Sequence, residues 1–107
     1  ITILSGDDGM TFPIMEVGGR GVISVAANII PAEVATMCSS LEAARAGHEK
    51  YGELFKTLFI ETNPIPVKTA LMLMGKMTAE FRLPLCEMDG AKRETLAAVL
   101  RKYGIIR

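Results

Sequence analysis

Asn63 stands at the centre of the most informative run of this sequence. It lies in the run Glu61-Thr62-Asn63-Pro64-Ile65-Pro66-Val67-Lys68, between two amphipathic stretches. Proline fixes φ and biases the residue before it toward extended backbone, so Pro64 and Pro66 are expected to keep Asn63 and Ile65 out of the α region. The run then forms a stiff corner between two helices, with a polar side chain pinned at its bend. A binding site needs that stiffness. A plain helix-to-helix turn uses it equally well, and the run alone fits both. Lys68 falls in the first turn of the following helix. A Schiff-base lysine needs an apolar, desolvated setting; at a polar helix start, a surface or structural pairing is the simpler reading.

A second candidate is Ser5-Gly6-Asp7-Asp8, which follows the strand-like run Ile1-Thr2-Ile3-Leu4. In parallel α/β folds the active site gathers at the carboxyl ends of the strands. Gly6 would let a ligand approach the backbone, and Asp7 or Asp8 would orient it. The same residues also make a tight turn and cap the next helix. A third candidate is Val22-Ile23-Ser24-Val25, which runs into Ala26-Ala27-Asn28. Small residues at a strand's carboxyl end leave room for a pocket, or allow tight packing inside a barrel. His48 stands alone beside Glu49 and Lys50, which suits a solvated side chain. Cys38 and Cys86 lie far apart beside apolar neighbours and read as reduced, buried thiols. With 1 His in the chain, no metal-ligand cluster is expected. The sequence offers no nucleophile–base dyad, phosphate loop or histidine pair.

These residues need elements to position them. Ile1–Leu4 predicts a short buried strand, and Met10–Val17 a short helix closed by Gly18-Gly19. Gly21–Ala27 predicts a second strand, rich in β-branched residues. Strand, helix, strand and helix in succession is the pattern of a parallel sheet with helical crossovers. Pro31 opens a helix to about Cys38. Ser39 and Glu42 have capping-box spacing for the next helix, which runs to about Phe59. Gly47 and Gly52 within it each cost up to ~1 kcal/mol against alanine. A helix begins at Pro66, with Val67, Ala70, Leu71 and Met74 on one face and Gly75 as its stop. Met72, Met74 and Met77 are expected to fill a helical core. Arg82-Leu83-Pro84-Leu85 reads as an extended connector, and a last helix covers about Ala91–Tyr103. The expected division is 1–38, two βα units, and 39–107, a helical domain.

The totals set the outer limits. The chain has 107 residues, 50% of them apolar, with a mean hydropathy of +0.31. Its 12 basic and 12 acidic residues cancel, which gives no electrostatic footprint for nucleic acid or an anionic membrane surface. No apolar run reaches the roughly 18 residues of a membrane span, and no signal-peptide pattern opens the chain. The chain starts at Ile1, directly in a strand-like run, which suits a fragment of a longer protein.

Five runs in register resemble the dihydrodipicolinate synthase family of pyruvate-dependent class I aldolases and lyases. They are Leu4-Ser5-Gly6-Asp7-Asp8, Gly18-Gly19-Arg20-Gly21-Val22-Ile23-Ser24-Val25-Ala26-Ala27-Asn28, Asn63-Pro64-Ile65-Pro66-Val67-Lys68, Arg82-Leu83-Pro84-Leu85 and Arg93-Glu94-Thr95. The resemblance covers essentially the whole chain. It implies an α/β fold: the C-terminal part of a (β/α)8 TIM barrel, contributing its seventh and eighth strands, followed by a helical bundle. A complete barrel needs about 250 residues, so the chain resembles the last third of such an enzyme.

The resemblance implies a lyase of lysine and diaminopimelate biosynthesis that condenses pyruvate with L-aspartate semialdehyde through a Schiff base. The imine lysine and relay tyrosine of the family would lie upstream of Ile1, so no catalytic residue is expected here, and the isolated chain should be inactive. Substrate-binding positions carried over are Ile23, whose backbone would contact pyruvate, and Gly6, Asn63 and Asp7 in the pocket wall. No cofactor or metal is implied. The implied partners are the remaining barrel segment of the same enzyme and further copies in a homo-oligomer, with a cytoplasmic location. There are two departures. Thr62 stands where the family often has proline, and the link from Met37 through Ser39-Ser40 to Glu42 is about a turn shorter than usual. Two alternatives stay open: a sibling lyase using pyruvate with another aldehyde, and a non-catalytic helical interaction fragment.

Overall fold

A computed structural model describes residues 1–107. The chain folds into two compact units, Ile1–Phe55 and Lys56–Arg107. It is mainly helical: α1 is Thr11–Glu16, α2 Pro31–Met37, α3 Leu41–Thr57, α4 Ile65–Leu73 and α5 Gly90–Lys102. No helix is long and apolar enough to cross a membrane.

The two strand-like runs of the first unit lie parallel, as expected, but pair much more briefly. A single parallel bridge joins Ser5 and Val22. The Ser5 N–H donates to Gly21 O (2.8 Å), the Ile23 N–H to Ser5 O (2.8 Å), and the Arg20 N–H to Ile3 O (2.9 Å). The pairing is limited at both ends by competing uses of the backbone. Upstream, Gly18 and Gly19 close α1 in a Schellman motif, donating to Met15 O (3.1 Å) and Ile14 O (2.8 Å). Gly18 takes φ 101° there, and a methyl on Gly19 would run into the Ile14 side chain and carbonyl. Downstream, the expected strand to Ala27 ends at Ile23. Beyond it the chain turns, and Ala26–Asn28 forms a 3-10 turn instead.

The helices that follow begin and end for identifiable reasons. Pro31 is the first residue of α2, where its missing N–H has no cost. Ser39 does not cap α3, despite its spacing to Glu42: its hydroxyl donates to Thr36 O (2.6 Å) and finishes α2. Ser40 is the cap, its Oγ accepting from the Ala43 N–H (3.0 Å). Gly47, a weak point of α3 by propensity, is a point of close approach. It is buried, and a Cβ there would overlap the Met37 thioether of α2. Around Gly52 there is open space. Ala26, Ile29, Ile30, Val34, Met37, Ala44, Leu54 and Phe55 are the buried apolar residues of this unit.

In the second unit α4 packs on α5, and Ile65, Val67, Ala70, Met88, Leu96, Ala97, Val99 and Leu100 are buried. Ile65 is not held out of the helix by Pro66 but is the first residue of α4, its N–H bonded to Thr62 O at 2.9 Å. Burial of Ile65, Pro66 and Val67 outweighs the local bias. Both helices close on glycine. Gly75 and Lys76 donate to Met72 and Leu71 carbonyls, and Gly104 and Ile105 to those of Arg101 and Leu100. Asp89 caps α5, with Arg101 and Lys102 in its last turn, where cations suit the helix dipole. Arg82–Leu85 is a turn rather than an extended connector, closed by the Leu85 N–H on Arg82 O (2.9 Å). Met72, Met74 and Met77 are half-buried, not core.

The two α3 glycines give a direct test. Gly47→Ala should destabilise the protein by about 1–3 kcal/mol, through overpacking against Met37. Gly52→Ala should be neutral or stabilising by up to about 1 kcal/mol. Urea denaturation midpoints check both.

Candidate functional site

The loop after the first run is built on local hydrogen bonds. Ser5 Oγ donates to Asp7 O (2.7 Å) and accepts from the Asp7 N–H (3.1 Å). These bonds fold residues 5–7 into a tight turn. Gly6 is exposed at its tip, and a Cβ added there would meet nothing within 4 Å. Asp7 is also exposed. Its Oδ1 accepts from the Gly9 N–H at 2.8 Å and caps the 3-10 turn Asp8–Met10.

Asp8 differs from its neighbour in burial and in the reach of its partners. It is 1% exposed. Its carboxylate accepts from the Ser24 hydroxyl and from the N–H groups of Val25 (3.1 Å) and Ala26 (2.9 Å). A buried carboxyl group requires such donors. The Asp8 carbonyl accepts from Thr11 Oγ1 (2.8 Å) as α1 begins. Ser24 extends the arrangement, its Oγ accepting from the Ala27 N–H at 2.9 Å. Asn28 Nδ2 donates to Val25 O (2.9 Å) and tightens the same turn. One side chain therefore ties the loop after the first run to the turn after the second.

Ile23 is the last paired residue before that turn. Its N–H is bonded to Ser5 O, while its side chain is 70% exposed. Ile3 and Leu4 are exposed as well, at 55% and 47%. The first unit thus brings Gly6, Asp7, Asp8 and Ile23 to the carboxyl ends of its two parallel runs.

Asn63 belongs to the second unit and is exposed. Its corner is tied at several points. The Asp89 N–H donates to Glu61 Oε2 (3.2 Å), and the Lys68 N–H to Pro64 O (3.0 Å). The Asn63–Pro64 peptide is cis. Lys68 Nζ lies 4.9 Å from the centre of the Phe81 ring, a cation–π pairing of the structural kind expected for it.

The remaining candidates divide. His48 is not fully solvated: it is half-buried with its ring 5.5 Å from that of Phe12, and its Nδ1 is buried without a hydrogen bond. Cys38 is half-buried and Cys86 exposed, both free, so Cys86 departs from the buried thiol expected. No group of three or more His, Cys, Asp or Glu side chains is placed to hold a metal ion. The residues that sequence reasoning passes over are Asp8, as the joint between the two loops, and Ser24. By sequence Asp8 is only a ligand-orienting or capping residue, because no local pattern pairs it with a serine sixteen positions on.

Comparison with known proteins shows what the chain is similar to. A profile of the Dihydrodipicolinate synthetase family matches residues 1–103. The 4-hydroxy-tetrahydrodipicolinate synthase of Persephonella marina is 55% identical over 113 aligned positions, covering 100% of this chain and 39% of that protein. The crystal structure of dihydrodipicolinate synthase from Aquifex aeolicus superposes with a TM-score of 0.94 at 47% identity, over 98% of this chain and 38% of that one. The chloride-inhibited dihydrodipicolinate synthase of Acinetobacter baumannii, complexed with pyruvate, superposes with a TM-score of 0.92 at 39% identity, over 99% of this chain and 38% of that one. The chain thus spans well under half the length of these relatives. A family profile over residues 1–103 and superposition along nearly the whole chain agree, and the chain belongs to the dihydrodipicolinate synthetase family.

Proposed function

We propose that this chain is the C-terminal part of a (β/α)8-barrel dihydrodipicolinate synthase, a lyase that condenses pyruvate with L-aspartate semialdehyde through a Schiff base. In this reading residues 1–38 supply the last two βα units of the barrel and residues 39–107 the C-terminal helical domain. The observation that carries it is the parallel bridge between Ser5 and Val22, with Gly6, Asp7 and Ile23 at the carboxyl ends of the joined runs. That is the end at which such barrels hold their substrates.

Each residue has a defined part. Ile23 has its N–H on Ser5 O, so its carbonyl is the backbone group offered to pyruvate. Gly6 keeps the pocket mouth open. Asp7 lends the wall a polar group, and Asn63, carried by the second unit, is a further substrate-binding residue. The imine lysine and proton-relay tyrosine belong to the preceding segment of the enzyme, and Lys68 is committed to Phe81. The exposed side chains of Ile3, Leu4 and Ile23 are apolar surface that the rest of the barrel covers on both sides of the runs, and their unpaired edges call for a neighbour. The enzyme works in lysine and diaminopimelate biosynthesis in the cytoplasm, without metal or cofactor, as a homotetramer.

Two experiments test this reading. Incubating the isolated chain with pyruvate and borohydride should give an unchanged intact mass, whereas the chain combined with its preceding barrel segment should gain one reduced pyruvate. A stable adduct on the isolated chain, or none on the combination, overturns the assignment. The second concerns Gly6, which nothing in the chain's own packing requires to be glycine. In the active enzyme, Gly6→Ala should change stability by no more than about 0.5 kcal/mol, yet raise the KM for the aldehyde about tenfold. Unchanged Michaelis constants for both substrates would remove Gly6 from the pocket wall.

A further inference from the structure

We propose that Asp8 is a positioning residue of the reaction: through Ser24, Val25 and Ala26 its buried carboxylate fixes the backbone at Ile23, where pyruvate is bound. This rests on the synthase reading above and adds a residue to it.

Ile23 sits at a weak point of the backbone. On its amino side, pairing is limited to the few bonds around Ser5 and Val22. On its carboxyl side the ladder has ended, and a chain leaving a strand there would ordinarily be free to swing. It is held instead by three donors converging on one carboxylate: the Ser24 hydroxyl and the Val25 and Ala26 N–H groups. The residue bonded to Asp8 through its hydroxyl directly follows Ile23, so the orientation of the peptide between Ile23 and Ser24 depends on that contact. Asp8 itself cannot drift. It is 1% exposed, and its own carbonyl is bonded by Thr11 at the start of α1. It also follows Gly6 and Asp7 in the same loop, so one side chain sets the distance between the Gly6 turn and the Ile23 carbonyl.

The chemistry requires a carboxylate of this length. Asparagine keeps one acceptor oxygen but turns an N–H2 toward donors, so only part of the arrangement survives. Alanine leaves the buried Ala26 N–H, and the part-buried Val25 N–H and Ser24 hydroxyl, without their acceptor. A misplaced carbonyl weakens substrate orientation steeply, because small displacements of a positioning group have large effects on rate.

The test uses the active enzyme that contains this chain, with Asp8→Ala, Asp8→Asn and, as a control for stability alone, Ser40→Ala at the start of α3. Asp8→Ala should raise the KM for pyruvate about tenfold or more, with a smaller change in the KM for the aldehyde. Asp8→Asn should fall between Asp8→Ala and the unaltered enzyme. Ser40→Ala should lower the melting temperature and leave both Michaelis constants unchanged. Proton–nitrogen spectra provide a second readout: the Val25 and Ala26 amide signals should shift in the Asp8 variants and stay in place in Ser40→Ala. If Asp8→Ala does not fold, Asp8→Asn decides by itself. A folded Asp8→Asn with the unaltered pyruvate KM and unmoved Val25 and Ala26 signals would overturn the proposal. If the unaltered enzyme forms no pyruvate adduct under borohydride, the synthase reading fails instead, a result separate from any effect of Asp8.

Discussion

The first unit depends on a buried carboxylate. Asp8 receives three hydrogen bonds from Ser24, Val25 and Ala26, each of the charge-assisted kind that contributes about 1.5–3 kcal/mol. The backbone pairing beside it is slight, a single bridge with a few amide bonds. Without those three donors the carboxyl group would be buried alone, which is strongly unfavourable. The fold therefore keeps the two loops together even where the strands are too short to do so. Local features support this placement. Ser5 folds the loop, Thr11 holds the Asp8 carbonyl, and Ser24 passes the contact on to Ala27.

The helices serve this arrangement by stopping where they must. Gly18 and Gly19 end α1 in time for Arg20 and Gly21 to reach the first run. The same glycine motif closes α4 and α5. Side-chain caps start the longer helices: Ser40 for α3 and Asp89 for α5. Between α2 and α3, Gly47 allows the Met37 side chain to lie against the helix backbone. At the helix ends a small or polar residue marks the boundary, and apolar burial fills what lies between.

Much of this is legible in the residues. The parallel direction of the two runs, the glycine stop after α1, Pro31 at the start of α2 and the apolar stripe of α5 follow from spacing and side-chain type. The features that the residues conceal share a cause: they depend on contacts distant in sequence. Val25 and Ala26 look like strand residues, but their N–H groups bond to the Asp8 carboxylate instead of a neighbouring strand. Ser39 has capping-box spacing to Glu42, yet Ser40 is the residue whose oxygen reaches α3. Gly47 reads as a helix weakness until Met37 is placed against it. His48 reads as a solvated side chain until Phe12 is placed against it. Among the candidate site residues, Gly6 and Ile23 come together at the ends of the two runs. The role of Asp8 is hidden because one aspartate looks like another until burial separates them.

A register slip of one position between the two runs would reverse the facing of every side chain in the second. Ile23 would turn inward, and Ser24 would lose its acceptor along with the two amides behind it. Apolar segments of similar size seldom distinguish one alignment from the next by shape. Here the wrong alignment strands a negative group in the interior, so a single ionic mismatch rejects what steric fit would let pass.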